Sequence, residues 1–275
     1  KSPDKNQPPA AAEPVPLDDV IRVDVDIVNV LCAVRDKRGA LIGTLTKDDF
    51  SIFEDGKKQD IKYFSRETNL PLTIGLLVDV SPSQVNLIDA ERHASLQFFS
   101  RVLRKEDLAF ILSFGPDAEL LQDYTNSQTL LRKALDSLRV SGGVGGLGPI
   151  PSTPRGTVLY DSVYLAATEQ LKGQVGRKAI VVVTDGVDQG SRYTRERAIE
   201  AAQKADAVIY GVHYVDHMFY GRYGGGFGAP GDGDLRRMAE ATGGRVFSID
   251  RGMSLDQAYK QIEEEMRSQY AIGYV

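Results

Sequence analysis

The stretch Leu72–Ser83, LTIGLLVDVSPS, decides the reading of this chain. Its apolar run reaches Asp79 and then gives way to Ser81 and Ser83, at alternate positions with Pro82 between them. A near-continuous apolar run marks a strand buried on both faces, the kind found in parallel sheets covered by helices. The carboxyl end of such a strand is where open α/β sheets keep their ligand crevice, so three oxygen-bearing side chains there raise the question of what they hold.

The same kind of run recurs downstream in LAFILSF (108–114), AIVVVTD (179–185), AVIYGVHYV (207–215) and RVFSI (245–249). Helical periodicity separates most of them, over 86–103, 127–138, 157–171, 194–205 and 233–242. This alternation predicts an α/β, Rossmann-like fold: a mostly parallel central sheet flanked by helices. AELLQDYT (118–125) follows LSFGPD too closely for a helical crossover, which predicts one antiparallel strand at the sheet edge.

Both ends of the chain follow another rule. IRVDVDIVNVLCAV (21–34) and QYAIGYV (269–275) alternate apolar and polar residues, as half-buried strands do. FSIFEDGKKQDIKYF (50–64) reads as a hairpin, because Asp55-Gly56 suits the positive backbone angles of a tight turn. The expected organisation is a leader or linker over 1–19, a β-rich segment over 20–68, the α/β domain over 69–268, and a strand over 269–275 returning to the β-rich segment. Polar Pro- and Ala-rich segments like this leader are common just after the cleavage point of exported precursors, giving the expectation of an extracytoplasmic location: secreted, periplasmic or cell-surface.

Composition narrows the function. A net charge of −5 with no basic stripe argues against nucleic acid. No apolar run approaches the roughly 20 residues of a spanning helix. Cys32 is the single cysteine, which excludes an intrachain disulfide framework and a multi-cysteine metal site.

A second buried strand delivers Asp185 to the same edge as Asp79, and Thr157 follows a Gly/Pro-rich loop at the start of a helix. Two carboxylates and three hydroxyls form a hard, all-oxygen donor set, suited to Mg²⁺ or Mn²⁺. With the hydroxyls ligating directly and the carboxylates acting largely through water, the ion keeps much of its charge and an open position for an external carboxylate. The bland alternative is that Ser83 and Thr157 cap helices and Asp185-Gly186 is a plain turn.

Asp79-Val-Ser81-Pro-Ser83, Thr157 in GTVLYD and Asp185 in TDG together resemble the complete metal-ion-dependent adhesion site of the von Willebrand factor type A domain. LTKDDFSIFEDGKKQDI and the terminal QYAIGY further resemble a bacterial subgroup, best known in Acidobacteria, in which that domain is joined to β-rich segments. The resemblance implies a bound Mg²⁺ on Asp79, Ser81, Ser83, Thr157 and Asp185, and adhesion-type recognition of a protein presenting an exposed Asp or Glu.

The segment 216–234 is long for a βα connection, and its Tyr220, Arg222, Tyr223 and Phe227 are the candidate partner-binding residues, with 141–156 as a second part of the rim. His213, Asp216 and His217 in HYVDH read as solvated loop residues that face apart, and Asp188 as either a rim charge or a cap. GGVGGLG, Gly142–Gly148, contains G-x-G-x-x-G but follows a helix, outside the context of a dinucleotide fingerprint. The chain is expected not to be an enzyme, and no residue is assigned a catalytic role: it has neither a Walker-type phosphate loop nor a G-x-S-x-G elbow. A metal-dependent hydrolase or phosphotransferase, and a structural scaffold with an inert metal, remain as alternatives.

Overall fold

The computed structural model describes residues 27–38, 40–66, 70–141, 156–218 and 232–275. The deciding stretch forms strand β5 (Leu72–Asp79), every residue of which is buried. Four further strands run parallel around it or beside it: β6 (Leu108–Phe114), β8 (Arg177–Thr184), β9 (Ala207–His213) and the short β10 (Val246–Ser248). Among the described residues the order is β10-β9-β8-β5-β6-β7, with β7 (Ala118–Thr125) antiparallel at the edge, as its short connection requires.

Side-chain alternation along β5 divides the core in two. Leu72, Ile74, Leu76 and Val78 face one layer of helices, built from α1 (Ile88–Val102), α2 (Gln128–Ser137) and α6 (Leu255–Met266). Leu77 faces the other, built from α3 (Leu159–Leu165) with its π-helical continuation Ala166–Leu171, α4 (Arg195–Lys204) and α5 (Gly233–Ala241). On that second face Gly75 lies beneath the Phe110 ring, where a Cβ would come within 2.2 Å of the ring's Cζ. A larger residue there would drive the ring out of a close-packed layer.

One helix was not expected from the sequence. The segment 254–266 forms α6, opened by a capping box in which Ser254 and Gln257 satisfy each other's backbone N–H. Leu255, Ala258, Tyr259, Ile262 and Met266 recur at helical spacing and are all buried.

The alternating segments build a separate three-stranded antiparallel sheet in the order β1-β11-β4, from β1 (Val28–Cys32), β4 (Tyr63–Ser65) and β11 (Tyr270–Tyr274). Val28 stands opposite Tyr274 and Cys32 opposite Tyr270. The hairpin forms as β2 (Ile52–Glu54) and β3 (Lys57–Gln59), with Asp55 at φ 48° and Gly56 at φ 77°, the two positive angles its turn needs. The Tyr270 hydroxyl donates to the Ile42 carbonyl at 2.8 Å and accepts from the Leu45 N–H at 3.0 Å, pinning the amino-terminal segment to β11. Residues 21–26 of the expected first strand lie outside the described residues.

Candidate metal centre

The parallel strands β5 and β8 are neighbours, so their carboxyl ends bring Asp79 and Asp185 to one edge. The loop after β5 is stitched on both sides: the Val80 N–H donates to the Phe114 carbonyl at 2.7 Å, and the Val80 carbonyl accepts from Ser141 N–H at 2.7 Å. Pro82 then begins a single 3-10 turn, Pro82–Gln84, that carries the chain toward α1.

Hydrogen bonds link four of the five expected donors into one chain. Asp79 Oδ1 accepts from the Ser81 N–H at 2.8 Å, and the Ser81 and Ser83 hydroxyls lie 3.0 Å apart. Ser83 Oγ donates to Asp185 Oδ2 at 2.5 Å. All four residues are buried.

Thr157 is buried at the same edge, but the bonds linking the other four do not include it. Its backbone is fixed from two sides: its carbonyl accepts from Gln189 N–H at 2.9 Å, and Val158 N–H donates to the Gly115 carbonyl at 2.8 Å. Gly156 makes this approach possible, since a Cβ there would sit 1.8 Å from the Gln189 carbonyl oxygen.

The alternative reading of the hydroxyls as helix caps does not describe these residues. Ser83 lies inside the 3-10 turn, and the residue before α3 is Val158, with no side-chain cap. Asp185 does accept a turn bond from Val187 N–H at 3.3 Å, through Oδ1, while Ser83 bonds Oδ2.

Electrostatics give the cluster its character. Burial, together with the neighbouring charge of Asp185, pushes the Asp79 carboxyl up to about 7, against the lowering effect of hydrogen bonds from Ser81 and Thr184. A divalent cation held here would offset this repulsion and favour the ionised carboxylate. Hydroxyls and carboxylates packed this closely, at a strand edge, fit a hard cation. Among the described residues no set of three His, Cys, Asp or Glu side chains converges as a metal site, so a cation held here would draw on the neutral hydroxyls as well as the carboxylates.

Several residues around the cluster have roles that the sequence did not disclose. Thr184 Oγ1 donates to Asp79 Oδ2 at 2.6 Å and accepts from Gly186 N–H at 3.1 Å. Asp216 is not solvated as expected but buried, accepting from Asn86 Nδ2 at 2.5 Å, and half-buried His213 places its Nε2 2.9 Å from the Asp185 carbonyl oxygen. These bonds tie the ends of β5, β8 and β9 together, whereas His217 is exposed. Asp188 caps, accepting from Tyr160 N–H at 3.2 Å and Ser191 Oγ at 2.5 Å. Glu91 is wholly buried on α1 with neither oxygen hydrogen-bonded. Tyr220, Arg222, Tyr223, Phe227 and the 142–155 part of the other rim loop lie outside the described residues.

No protein-family model matches the chain, and a search of curated proteins finds no match either. Solved structures do. BatB of Bacteroides thetaiotaomicron superposes with a TM-score of 0.52 at 19% identity, over 71% of this chain and 97% of that one. Proximal thread matrix protein 1 from the mussel byssus, in a structure whose metal-ion-dependent adhesion motif is occupied by zinc, gives a TM-score of 0.54 at 16% identity, over 76% and 48%. The von Willebrand factor type A protein of Catenulispora acidiphila gives 0.53 at 13% identity, over 78% and 52%. The central sheet and its helices therefore have the Rossmann-like fold of the von Willebrand factor type A structures.

Proposed function

We propose that this chain is a metal-dependent protein-binding module, in which Asp79, Ser81, Ser83, Thr157 and Asp185 hold Mg²⁺ or Mn²⁺ and the ion captures an acidic side chain of a partner. The observation that carries the reading is the hydrogen-bonded chain from Asp79 through Ser81 and Ser83 to Asp185 at the carboxyl edge of a parallel sheet. The zinc in the byssus protein supports a metal in a fold of this kind. The all-oxygen donor set here favours the harder ions.

Neutral hydroxyl donors leave the cation electrophilic, which suits capture of a carboxylate better than activation of a nucleophile. Ser81 and Ser83, engaged with each other and with Asp185, are poorly disposed to attack a substrate, so the module is read as non-catalytic. Tyr220, Arg222, Tyr223 and Phe227 are assigned to the recognition rim on composition, and an extracytoplasmic location on the leader. No helix among the described residues is long and apolar enough to cross a membrane.

The test is affinity capture of interacting proteins in Mg²⁺ followed by elution with EDTA. The reading expects a partner that elutes with EDTA and is not retained by Asp79→Ala. Equal recovery by that variant in EDTA overturns it, and metal-dependent turnover of phosphate esters or peptides favours the hydrolase alternative.

A further inference from the structure

The small antiparallel sheet ends at β1, which pairs with β11 on one side and, among the described residues, with no strand on the other. The ladder fixes which backbone groups are left over. The Gly273 carbonyl on β11 accepts from Lys62 N–H at 2.8 Å, beside β4, so Ile272 and Tyr274 turn their own groups toward β1. Val28 and Val30, which stand opposite Tyr274 and Ile272, spend their backbone groups on that ladder, and Asn29 and Leu31 turn N–H and C=O outward. In agreement, the Leu31 carbonyl oxygen faces Gly243, where an added Cβ would stand 3.0 Å from it.

Sheet edges are ordinarily guarded by a charge, a proline, a bulge or brevity. β4, on the far side of β11, has three residues and lies between Lys62 and Arg66. β1 has none of these guards: VNVLC runs for five residues in unbroken register, without charge or proline. Val28 and Val30 are exposed, although the residues opposite them are buried. A groove of about 540 Å³ follows this edge, between β1 and the segments 203–208 and 241–243. Its far wall is fixed, since Gln203 Nε2 donates to the Ala241 carbonyl at 2.7 Å and Thr242 Oγ1 accepts from Ile209 N–H at 2.9 Å. Exposed Asp206 is the one charged residue among those lining the groove.

We propose that this groove is a second binding site, in which an extended segment of a partner protein adds to β1 as a fourth strand, its apolar side chains alternating beside Val28 and Val30 and a basic one placed near Asp206. The outward backbone groups of Asn29 and Leu31 call for a backbone partner, and the pleat then imposes the alternation. The Asp206 carboxylate sets the sign of the charge. The chain's own leader does not match, because residues 1–19 hold five prolines, none of which can donate to a ladder. A second copy would bring its own Asp206 to the same groove, like charge against like. The groove borders the start of β9, at the amino end of the central strands, whereas the metal centre lies at their carboxyl end. Binding here is therefore independent of metal.

The test adds the full chain, in EDTA, to a fluorescein-labelled heptapeptide in which valine alternates with threonine and one central lysine, and follows fluorescence anisotropy. Wild type should bind saturably. Asn29→Pro removes an outward donor without touching the β11 ladder, and should weaken binding about tenfold. Val30→Lys, a guard of the kind natural edges carry, should do the same. Glutamate in place of the probe's lysine should weaken binding to the wild type about two- to fivefold, and Asp206→Asn should abolish that difference. No binding by the wild type, or wild-type affinity in both folded variants, overturns the inference. So does a wild-type dimer that Asn29→Pro dissociates in sedimentation, which gives the edge to a second copy, and so does displacement of the probe by a peptide of residues 1–19, which gives it to the leader. All of these outcomes leave the metal reading standing.

Discussion

Thr184, the last residue of β8, donates its hydroxyl to Asp79, the last residue of β5, at 2.6 Å. The bond joins two strand ends 105 residues apart in sequence and aims one oxygen of Asp79 away from the serine loop, while the other accepts from Ser81 N–H. Thr184→Val keeps the shape and removes the donor. Because a buried acceptor is then left unsatisfied, the metal-free protein should lose about 1–3 kcal/mol in urea denaturation. Its Mg²⁺-dependent rise in melting temperature should shrink, and an unchanged rise would show that the orientation of Asp79 does not matter.

The elevated Asp79 carboxyl predicts a pH dependence of stability in EDTA. Its value of about 7 in the fold lies above the 3.8 of an unperturbed aspartate. The folded state therefore binds the proton more tightly, and the stability this contributes is complete below pH ~4 and is lost as pH rises through ~7. Three units correspond to about 4 kcal/mol as an order of magnitude. Asp79→Asn should flatten this decline in melting scans from pH 4 to 8, since Thr184 can rotate its hydroxyl to suit the amide. Saturating Mg²⁺ should oppose the decline in the wild type by favouring the ionised carboxylate.

How far each feature was legible in sequence depends on the range of the interaction behind it. Strands buried on both faces announce themselves through unbroken apolar runs, and Asp79 and Asp185 are brought to one sheet edge because the first ends one such strand and the second directly follows another. Asp55-Gly56 was legible because its turn needs positive angles within two residues. Helix α6 carries both a capping box and helical spacing, so its signal is present in Ser254–Met266 although it was not among the expected elements. Glu91 is equally visible as a charge within an apolar helical stripe, the pattern that marks a buried ionisable group. The contacts of Thr184, His213 and Asp216 carry no such signal. They depend on which strand ends become neighbours and on how side chains turn there, which periodicity does not encode.

Removing the serine hydroxyls one at a time should separate metal binding from folding. Ser81 Oγ is paired with Ser83 Oγ, whereas Ser83 also bonds the Asp185 carboxylate. Ser81→Ala should therefore cost about 0.5–1.5 kcal/mol in EDTA, and Ser83→Ala more, because a hydrogen bond to a charged group is worth roughly 1.5–3 kcal/mol. Both should lose most of the Mg²⁺-dependent thermal shift. A full shift retained by both would remove the serines from the donor set.

Gly156 provides the sharpest geometric test of the fifth donor. A methyl group at this position would stand 1.8 Å from the Gln189 carbonyl oxygen, a backbone atom that no side-chain rotation can move aside. Gly156→Ala must therefore separate the two loops and break the bond from Gln189 N–H to the Thr157 carbonyl. The clash falls on the backbone and Cβ of Gln189, outside every helix and strand, so the far-ultraviolet spectrum should be preserved while the melting temperature in EDTA falls modestly. The displacement carries Thr157 with it. If Thr157 completes the donor set, the apparent affinity for Mn²⁺ should fall at least tenfold, matching that of Thr157→Ala, and the double variant should be no weaker than either alone. Additive losses in the double variant would mean that Gly156 acts through the fold and that Thr157 contributes independently of this loop contact.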